Sequence, residues 1–188
     1  MCNEILRAIS DRRSIRTYTE EPVSEAQLDA MMTAAMEAPS ARNTQPWHIT
    51  AVSNAELLSR VNQAYCAEFL TICPPEARAR IEHPGYSVFF HAPMVLFFSC
   101  PPVSEMRYAQ TDVGIAIQSV ALAAHGLGLG SVILGQPRFA FQGVEADALR
   151  AALRFPAGYD FCLAISIGYP ACTKEAHPMG EGRLTRIE

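Results

Sequence analysis

The sequence predicts an α+β fold in which helices surround a central mixed or antiparallel sheet. Three observations predict it. Continuous apolar runs at 94–100 and 161–167 are typical of buried strands, and apolar residues recur at helical spacing over 28–36 and 111–125. Helices and strands also do not alternate as they would around a parallel sheet. With 188 residues, 49% of them hydrophobic, the chain suits a single domain over 1–188.

The first elements are two amphipathic helices. A helix over 3–10 places Ile5 and its apolar neighbours on one face. Ser24 followed by Gln27 is a capping-box pattern and predicts the start of the second helix, which Pro39 ends.

The remaining elements alternate irregularly between strands, helices and turns. In chain order, the sequence predicts a strand over 47–52, a helix over 55–64, an irregular segment over 66–92, a strand over 94–100, a long helix over 111–125, a strand over 131–134, a helix over 145–154, a strand over 161–167 and a polar extension over 169–188. The helix over 111–125 is apolar nearly all round, so it is either central and buried or packed against a partner subunit.

Charge and composition exclude several classes of protein. The net charge of −4 argues against a general nucleic-acid binder, which carries a basic face. No apolar run is long enough for a membrane span, and the N-terminus lacks the pattern of a secretory signal. None of the six cysteines is spaced as CxxC, so all six are expected to be reduced thiols of a cytoplasmic protein. A zinc site is not expected, because its candidate ligands fit no known spacing: Cys66, Cys73, His83 and His91.

A basic cluster follows the first helix. Arg12, Arg13, Ser14 and Arg16 fall within five residues. Guanidinium groups pair with phosphate oxygens in forked hydrogen bonds, and a serine hydroxyl adds a donor. The simpler alternative is a solvated basic turn that offsets the negative end of the helix dipole.

A rigid polar loop joins the second helix to the first strand. Ser40, Asn43 and Gln45 supply donors and acceptors that suit a heterocycle with amide-like edges. The alternative is a connecting loop whose side chains bond to one another in Asx turns.

The glycines at 126–130 are spaced as GLGLG and follow a helix, so they predict a helix C-cap rather than a phosphate loop. Gly135, after the next strand, would let the backbone approach a flat ligand closely. No GxSxG or HExxH motif occurs, and the five histidines are scattered. A cofactor rather than a protein side chain is therefore expected to carry any chemistry.

Taken in order, these segments resemble the nitroreductase family of flavoenzymes. The resemblance lies in RRSIRTY, APSARNTQPWHI, DVGIAIQSVALAAHGLGLGSVILG, FCLAISIGYP and a late arginine, and it covers nearly the whole chain. It implies an α+β fold and an intertwined homodimer with two FMN sites at the interface, to which the long helix over 111–125 contributes.

The resemblance also implies roles for individual residues. Arg12, Arg13, Ser14 and Arg16 would hold the FMN phosphate and ribityl chain, and Arg183 would return to the phosphate. Other residues would approach the flavin from the partner subunit: Pro39, Ser40, Asn43 and, less directly, Gln45. The isoalloxazine would be lined by Ile133, Leu134, Gly135 and Gln136. Two positions depart from the family pattern: Glu181 replaces a second basic residue, and Gln136 replaces a second glycine.

The activity that the resemblance implies is a ping-pong transfer. NADH or NADPH would pass hydride to flavin N5, and a nitroaromatic, a quinone or a similar electrophile would then take it up. Residues 66–92 would cover the flavin, with Phe69, Tyr86, Phe89 and Phe90 either facing a planar substrate or packing together. The alternatives are a specialised flavoenzyme with another electron donor and a flavin-binding protein without turnover. A third is a plain interaction module in which the arginine cluster is only a solvated turn.

Overall fold

The computed structural model describes residues 3–178 and 180–187. Six helices surround one sheet, in the order α1 (Glu4–Asp11), α2 (Glu25–Met36), β1 (His48–Val52), α3 (Ala55–Phe69), α4 (Pro75–Ile81), β2 (Met94–Cys100), α5 (Ala109–Gly126), β3 (Gly130–Leu134), α6 (Ala146–Ala152) and β4 (Asp160–Gly168). Two 3-10 helices, Ala41–Asn43 and Gln136–Phe141, follow α2 and β3. The predicted α+β class is confirmed.

The sheet is antiparallel, with its four strands in the order β1-β2-β4-β3. All seven residues of β2 are buried, because helices cover both faces of this central strand. Leu96 and Phe98 pack with α2 and α5 on one face, whereas Val95 and Phe97 pack with α3 and the second 3-10 helix on the other. This alternation follows from the period of two in a strand.

Local signals mark the start of α2 and the end of α5, as the sequence predicts. The Ser24 side chain accepts from the backbone N–H of Gln27, whose side chain accepts from the N–H of Ser24, so the predicted capping box is confirmed. Beyond the C-terminal end of α5, Gly128 has a φ of +78°, which a residue without a Cβ adopts without strain. The helix therefore ends at the glycines and the chain turns into β3.

The segment 66–92 is not irregular throughout, so that prediction was wrong. Helix α3 continues to Phe69, and α4 begins at Pro75 inside the segment. Proline fits the first turn of a helix because the N–H that it lacks has no partner there. The prolines at 74 and 75 therefore start a helix here instead of breaking one.

Helix α5 is central, but it is not covered on every side. Eight of its residues are buried against α2 and the sheet, while Ile115 keeps 38% of its surface exposed. By contrast, α1 buries none of its residues, and Ile5, Leu6 and Ile9 are more than half exposed. Within residues 3–178 and 180–187, no helix is long and apolar enough to cross a membrane.

Candidate functional site

The arginine segment is fixed along the edge of the sheet. Ile15 donates its N–H to the carbonyl of Ser131 at 3.0 Å, and Ser14 forms a parallel bridge to the same residue of β3. The buried Ile15 side chain lies against Gly130, where a Cβ would come within 3.0 Å of it. Because Ile15 is held inward, its neighbours Ser14 and Arg16 remain partly or fully exposed beside the end of β3.

A cleft of about 710 Å³ lies next to this segment. It brings together Arg16, the whole predicted stretch 133–136 and two of the predicted aromatics, Tyr86 and Phe90. The guanidinium carbon of Arg16 lies 5.7 Å from the centre of the Phe90 ring. Residues that are far apart in sequence thus form one concave site with an aromatic wall and a basic edge.

Gly135 lines this cleft, but its backbone conformation does not require a glycine. Its φ of −100° and ψ of −21° are accessible to any residue. A Cβ at this position would meet only Leu163 Cδ2, at 3.9 Å, which is ordinary van der Waals contact. The chain therefore tolerates a side chain here, and what the glycine leaves free is space on the cleft side. That fits the close approach of a flat ring.

A second, smaller pocket of about 320 Å³ holds the other arginines. It is lined by Arg12, Arg13, His125 and Lys174, with residues of β3. Arg13 Nη1 donates to the carbonyls of Ser10 and Arg12, so part of this side chain caps the end of α1, as the alternative of a basic turn requires.

Arg13 also has an unused donor. Its Nε is buried and has no hydrogen-bond partner among the described residues. A buried N–H without a partner is costly, and an anionic oxygen in the pocket would satisfy it. The alternative of a basic turn therefore describes part of what Arg13 does, and its unused donor is compatible with an anionic ligand.

The polar loop is strained and tightly fastened. Arg42, Asn43 and Gln45 have φ values of 55°, 55° and 45°, in the left-handed region. The N–H of Ala41 donates to both carboxylate oxygens of the buried Asp112, each at 3.2 Å, which ties the loop to the first turn of α5.

The loop side chains bond mainly to one another. The Gln45 N–H donates to Ser40 Oγ at 2.9 Å, and Gln45 Nε2 donates to Asn43 Oδ1 at 2.9 Å. Pro39 and Ser40 line a separate shallow pocket of about 280 Å³ together with Ile115 and do not line the cleft around Gly135. Within one chain, the loop and the cleft are therefore separate surfaces.

The predicted aromatics divide into two groups. Tyr86 and Phe90 line the cleft. Phe89 is only 2% exposed and packs edge-on against Phe97, so the substrate contact expected of it is corrected: it belongs to the core. Phe69 is half-buried, stacks on its neighbours and does not line the cleft.

Arg183 is exposed in the C-terminal extension and lines neither arginine pocket of its own chain. Five cysteines are free thiols: Cys66, Cys73, Cys100, Cys162 and Cys172; Cys2 lies outside the described residues. Among the described residues, no three His, Cys, Asp or Glu side chains converge as a metal site would require.

Seven residues that line the cleft were not predicted from the sequence, and Tyr18 and Arg80 are two of them. Tyr18 belongs to the RRSIRTY motif, and its hydroxyl donates to the Ile15 carbonyl at 2.6 Å. Burial raises its pKa above the ordinary value of 10.0, so the hydroxyl keeps its proton. Arg80 of α4 lies 5.9 Å from the centre of the Tyr86 ring at the cleft edge. The motif signals Tyr18, whereas no pattern in the sequence signals Arg80.

Together, the fold and the site define an α+β protein with a basic cleft that suits a flat, anionic ligand. The nitroreductase family model matches residues 9–169, and the chain belongs to the nitroreductase family.

Relatives with known names are similar over most of the chain. A protein of Archaeoglobus fulgidus with the provisional name NADH dehydrogenase/NAD(P)H nitroreductase is 32% identical over 175 residues, 92% of this chain and 88% of the relative. The FMN reductase [NAD(P)H] of Bacillus subtilis is 31% identical over 144 residues, 72% of this chain and 55% of the relative. The crystal structure of a nitroreductase with bound FMN from Desulfitobacterium hafniense superimposes with a TM-score of 0.92 at 31% identity, covering 100% of both chains.

Proposed function

We propose that this protein is an FMN-dependent oxidoreductase that takes electrons from NADH or NADPH and passes them to nitroaromatics, quinones or similar electrophiles by a ping-pong mechanism. The observation that carries the proposal is Gly135, whose missing side chain leaves free space in the cleft beside Arg16. Family membership and the FMN-bound structure of a relative support the choice of cofactor.

The residues of the cleft fit FMN in two respects, and the second pocket fits it in a third. Gly135 gives a ring access to the backbone at the end of β3, with Ile133, Leu134 and Gln136 beside it. Arg16 places a positive charge at the edge of the same cleft, where it favours an anionic ligand.

The second pocket would take the phosphate. Arg12 and Arg13 line it with Lys174, and Ser14 is bridged to Ser131 at its edge. The buried Arg13 Nε offers an unused donor to a phosphate oxygen. Arg12 and Ser14 would complete the contacts to the phosphate and the ribityl chain.

When bound, FMN supplies the hydride chemistry, which takes place at its N5. The protein binds and orients the ring, and Phe90 and Tyr86 form a wall against which a planar donor or acceptor stacks. No protein acid or base is required for hydride transfer, so we assign no catalytic side chain.

We also propose that the active form is a homodimer. The exposed apolar residues Ile5, Leu6 and Ile9 of α1 would be covered by a second copy. The loop with Pro39, Ser40, Asn43 and Gln45 does not reach the cleft of its own chain, and Arg183 does not reach the phosphate pocket. These residues would complete the partner's site, with 66–92 covering the flavin.

The test is the visible spectrum of the purified protein before and after anaerobic addition of NADH or NADPH. Flavin bands that bleach, and return when a quinone or nitroaromatic is added, support the proposal. Flavin bands that persist with both donors would indicate another electron donor or a role in binding alone. A colourless protein that also fails to bind added FMN would refute the proposal. Light scattering gives the mass of the assembly in the same samples.

A further inference from the structure

Gln136 differs from its neighbours in the cleft because a pair of tyrosines behind it holds its side chain. The hydroxyl of Tyr65, which is fully buried, donates to Gln136 Oε1 at 3.0 Å. The hydroxyl of Tyr86 in turn donates to the Tyr65 hydroxyl at 3.4 Å. The three side chains form one directed chain of hydrogen bonds that ends in the cleft.

The hydrogen-bond partners of Tyr65 orient the amide. With Tyr86 donating to it, the Tyr65 hydroxyl has its single hydrogen available for Gln136 Oε1. The amide oxygen is thereby tied to Tyr65, and the two hydrogens of Nε2 are left on the other side. Among the described residues Nε2 has no hydrogen-bond partner, and Gln136 is exposed in the cleft.

The backbone limits the remaining freedom of Gln136. It precedes Pro137, and the residue before a proline is restricted in φ and ψ. Gly135 and Gln136 thus present free space and an N–H donor, whose amide Tyr65 holds, side by side in the cleft.

We propose that Gln136 Nε2 donates a hydrogen bond to an acceptor atom on the ring edge of bound flavin, and that Tyr65 is the positioning residue that keeps the amide in this orientation. The inference rests on the proposed function. Reduced flavin carries more negative charge than oxidised flavin, and hydrogen bonds to charged acceptors are the stronger ones. Gln136 thus stabilises the reduced form more and raises the reduction potential of the cofactor.

A purely structural role explains Tyr65 less well. A phenylalanine would fill the same space and would need no partner for a buried hydroxyl, which is costly to leave unpaired. The hydroxyl instead donates to the one residue lining this cleft that has a side-chain amide. Packing alone does not require that direction.

The experiment measures the midpoint potential of bound FMN by anaerobic reduction against a reference dye, in the wild type and four variants. Gln136→Leu removes the donor. Gln136→Glu keeps the shape but replaces the donor with a negative acceptor, and Tyr65→Phe lets the amide turn. Gln142→Leu is the matched control, because Gln142 is exposed at the end of the same 3-10 helix and lies outside the cleft.

We expect Gln136→Leu to lose about tenfold in the preference for reduced over oxidised FMN, which is about 30 mV for a two-electron couple. Gln136→Glu should lose more, Tyr65→Phe less, and the control nothing. Since Gln136→Glu is isosteric, it remains informative if Gln136→Leu fails to fold.

Unchanged potentials in both Gln136 variants would overturn the inference, even if the reoxidation of the flavin by acceptors were slowed. An effect in the Gln136 variants with none in Tyr65→Phe would overturn the positioning role. Loss of the proposed function is a different result, because the wild type itself would then bind no FMN.

Discussion

Substituting Gly135 by alanine separates binding of the cofactor from stability of the fold, because the two should change in opposite directions. In the free protein the added Cβ meets only Leu163 Cδ2, at 3.9 Å, and the φ of −100° suits alanine. Replacing glycine at such a position stabilises a protein by about 0.4–1 kcal/mol, because the unfolded chain has less entropy to lose. The apoprotein should therefore melt at the same temperature or slightly higher.

The effect of Gly135→Ala on the ligand has the opposite sign. A methyl group added to a well-packed contact costs about 1–3 kcal/mol. That corresponds to a loss of roughly 5- to 150-fold in the affinity for FMN. Titration of the apoprotein with FMN, followed by quenching of flavin fluorescence, gives the dissociation constant, and thermal unfolding of the same apoprotein gives its stability.

Gly126→Ala is the matched control, since a Cβ there meets nothing within 4 Å and the residue lies outside the cleft. It should leave the affinity for FMN unchanged. An FMN affinity of wild-type strength in Gly135→Ala would refute the reasoning that this glycine admits the ring. A less stable apoprotein of Gly135→Ala would refute the inference that the backbone at this position suits alanine.

The other predictions concern binding of the phosphate, the polar loop and stability at high pH. Arg12→Ala combined with Arg16→Ala should leave the purified protein without most of its flavin, because each charge-assisted contact contributes about 1.5–3 kcal/mol. Full flavin occupancy, measured by absorbance, would contradict the assignment of these arginines to the phosphate. Asp112→Ala leaves the N–H of Ala41 without its acceptor and should lower the free energy of unfolding by about 1–3 kcal/mol in denaturant titrations, whereas Asp112→Asn should cost less. Burial raises the pKa of Tyr18, so the folded state holds a proton that the unfolded state loses near pH 10, and stability should be level below that pH and fall above it. Tyr18→Phe should reduce this fall in stability, which is measured as the free energy of unfolding at a series of pH values.

The sequence predicted most of the elements because their signals are local. The six apolar residues of β2 favour burial on both faces, and the capping box at Ser24 fixes the start of α2 without reference to the rest of the chain. Helix α4 was missed because its prolines at 74 and 75 were interpreted as breakers, although proline is also a residue of helix starts.

The site was predicted less completely, because a cleft is formed by pairs that are distant in sequence. The aromatics at 86–90 show the limit: Phe89 and Phe90 are adjacent, yet one is buried against Phe97 and the other faces the cleft. Composition does not say which way each side chain turns. The hydrogen bond between Tyr65 and Gln136 joins residues 71 positions apart, and no periodicity in the sequence reports it.

The proposed binding of FMN and the proposed dimer depend on the same feature of the chain. One chain holds Gly135 and the arginine pockets, while its polar loop is tied through Asp112 to a different surface, beside the exposed Ile115. If the proposed dimer joins the loop of one subunit to the cleft of the other, FMN contacts both chains and binds the monomer more weakly. Linkage then requires that FMN strengthen the dimer by the same factor by which dimerisation strengthens the binding of FMN.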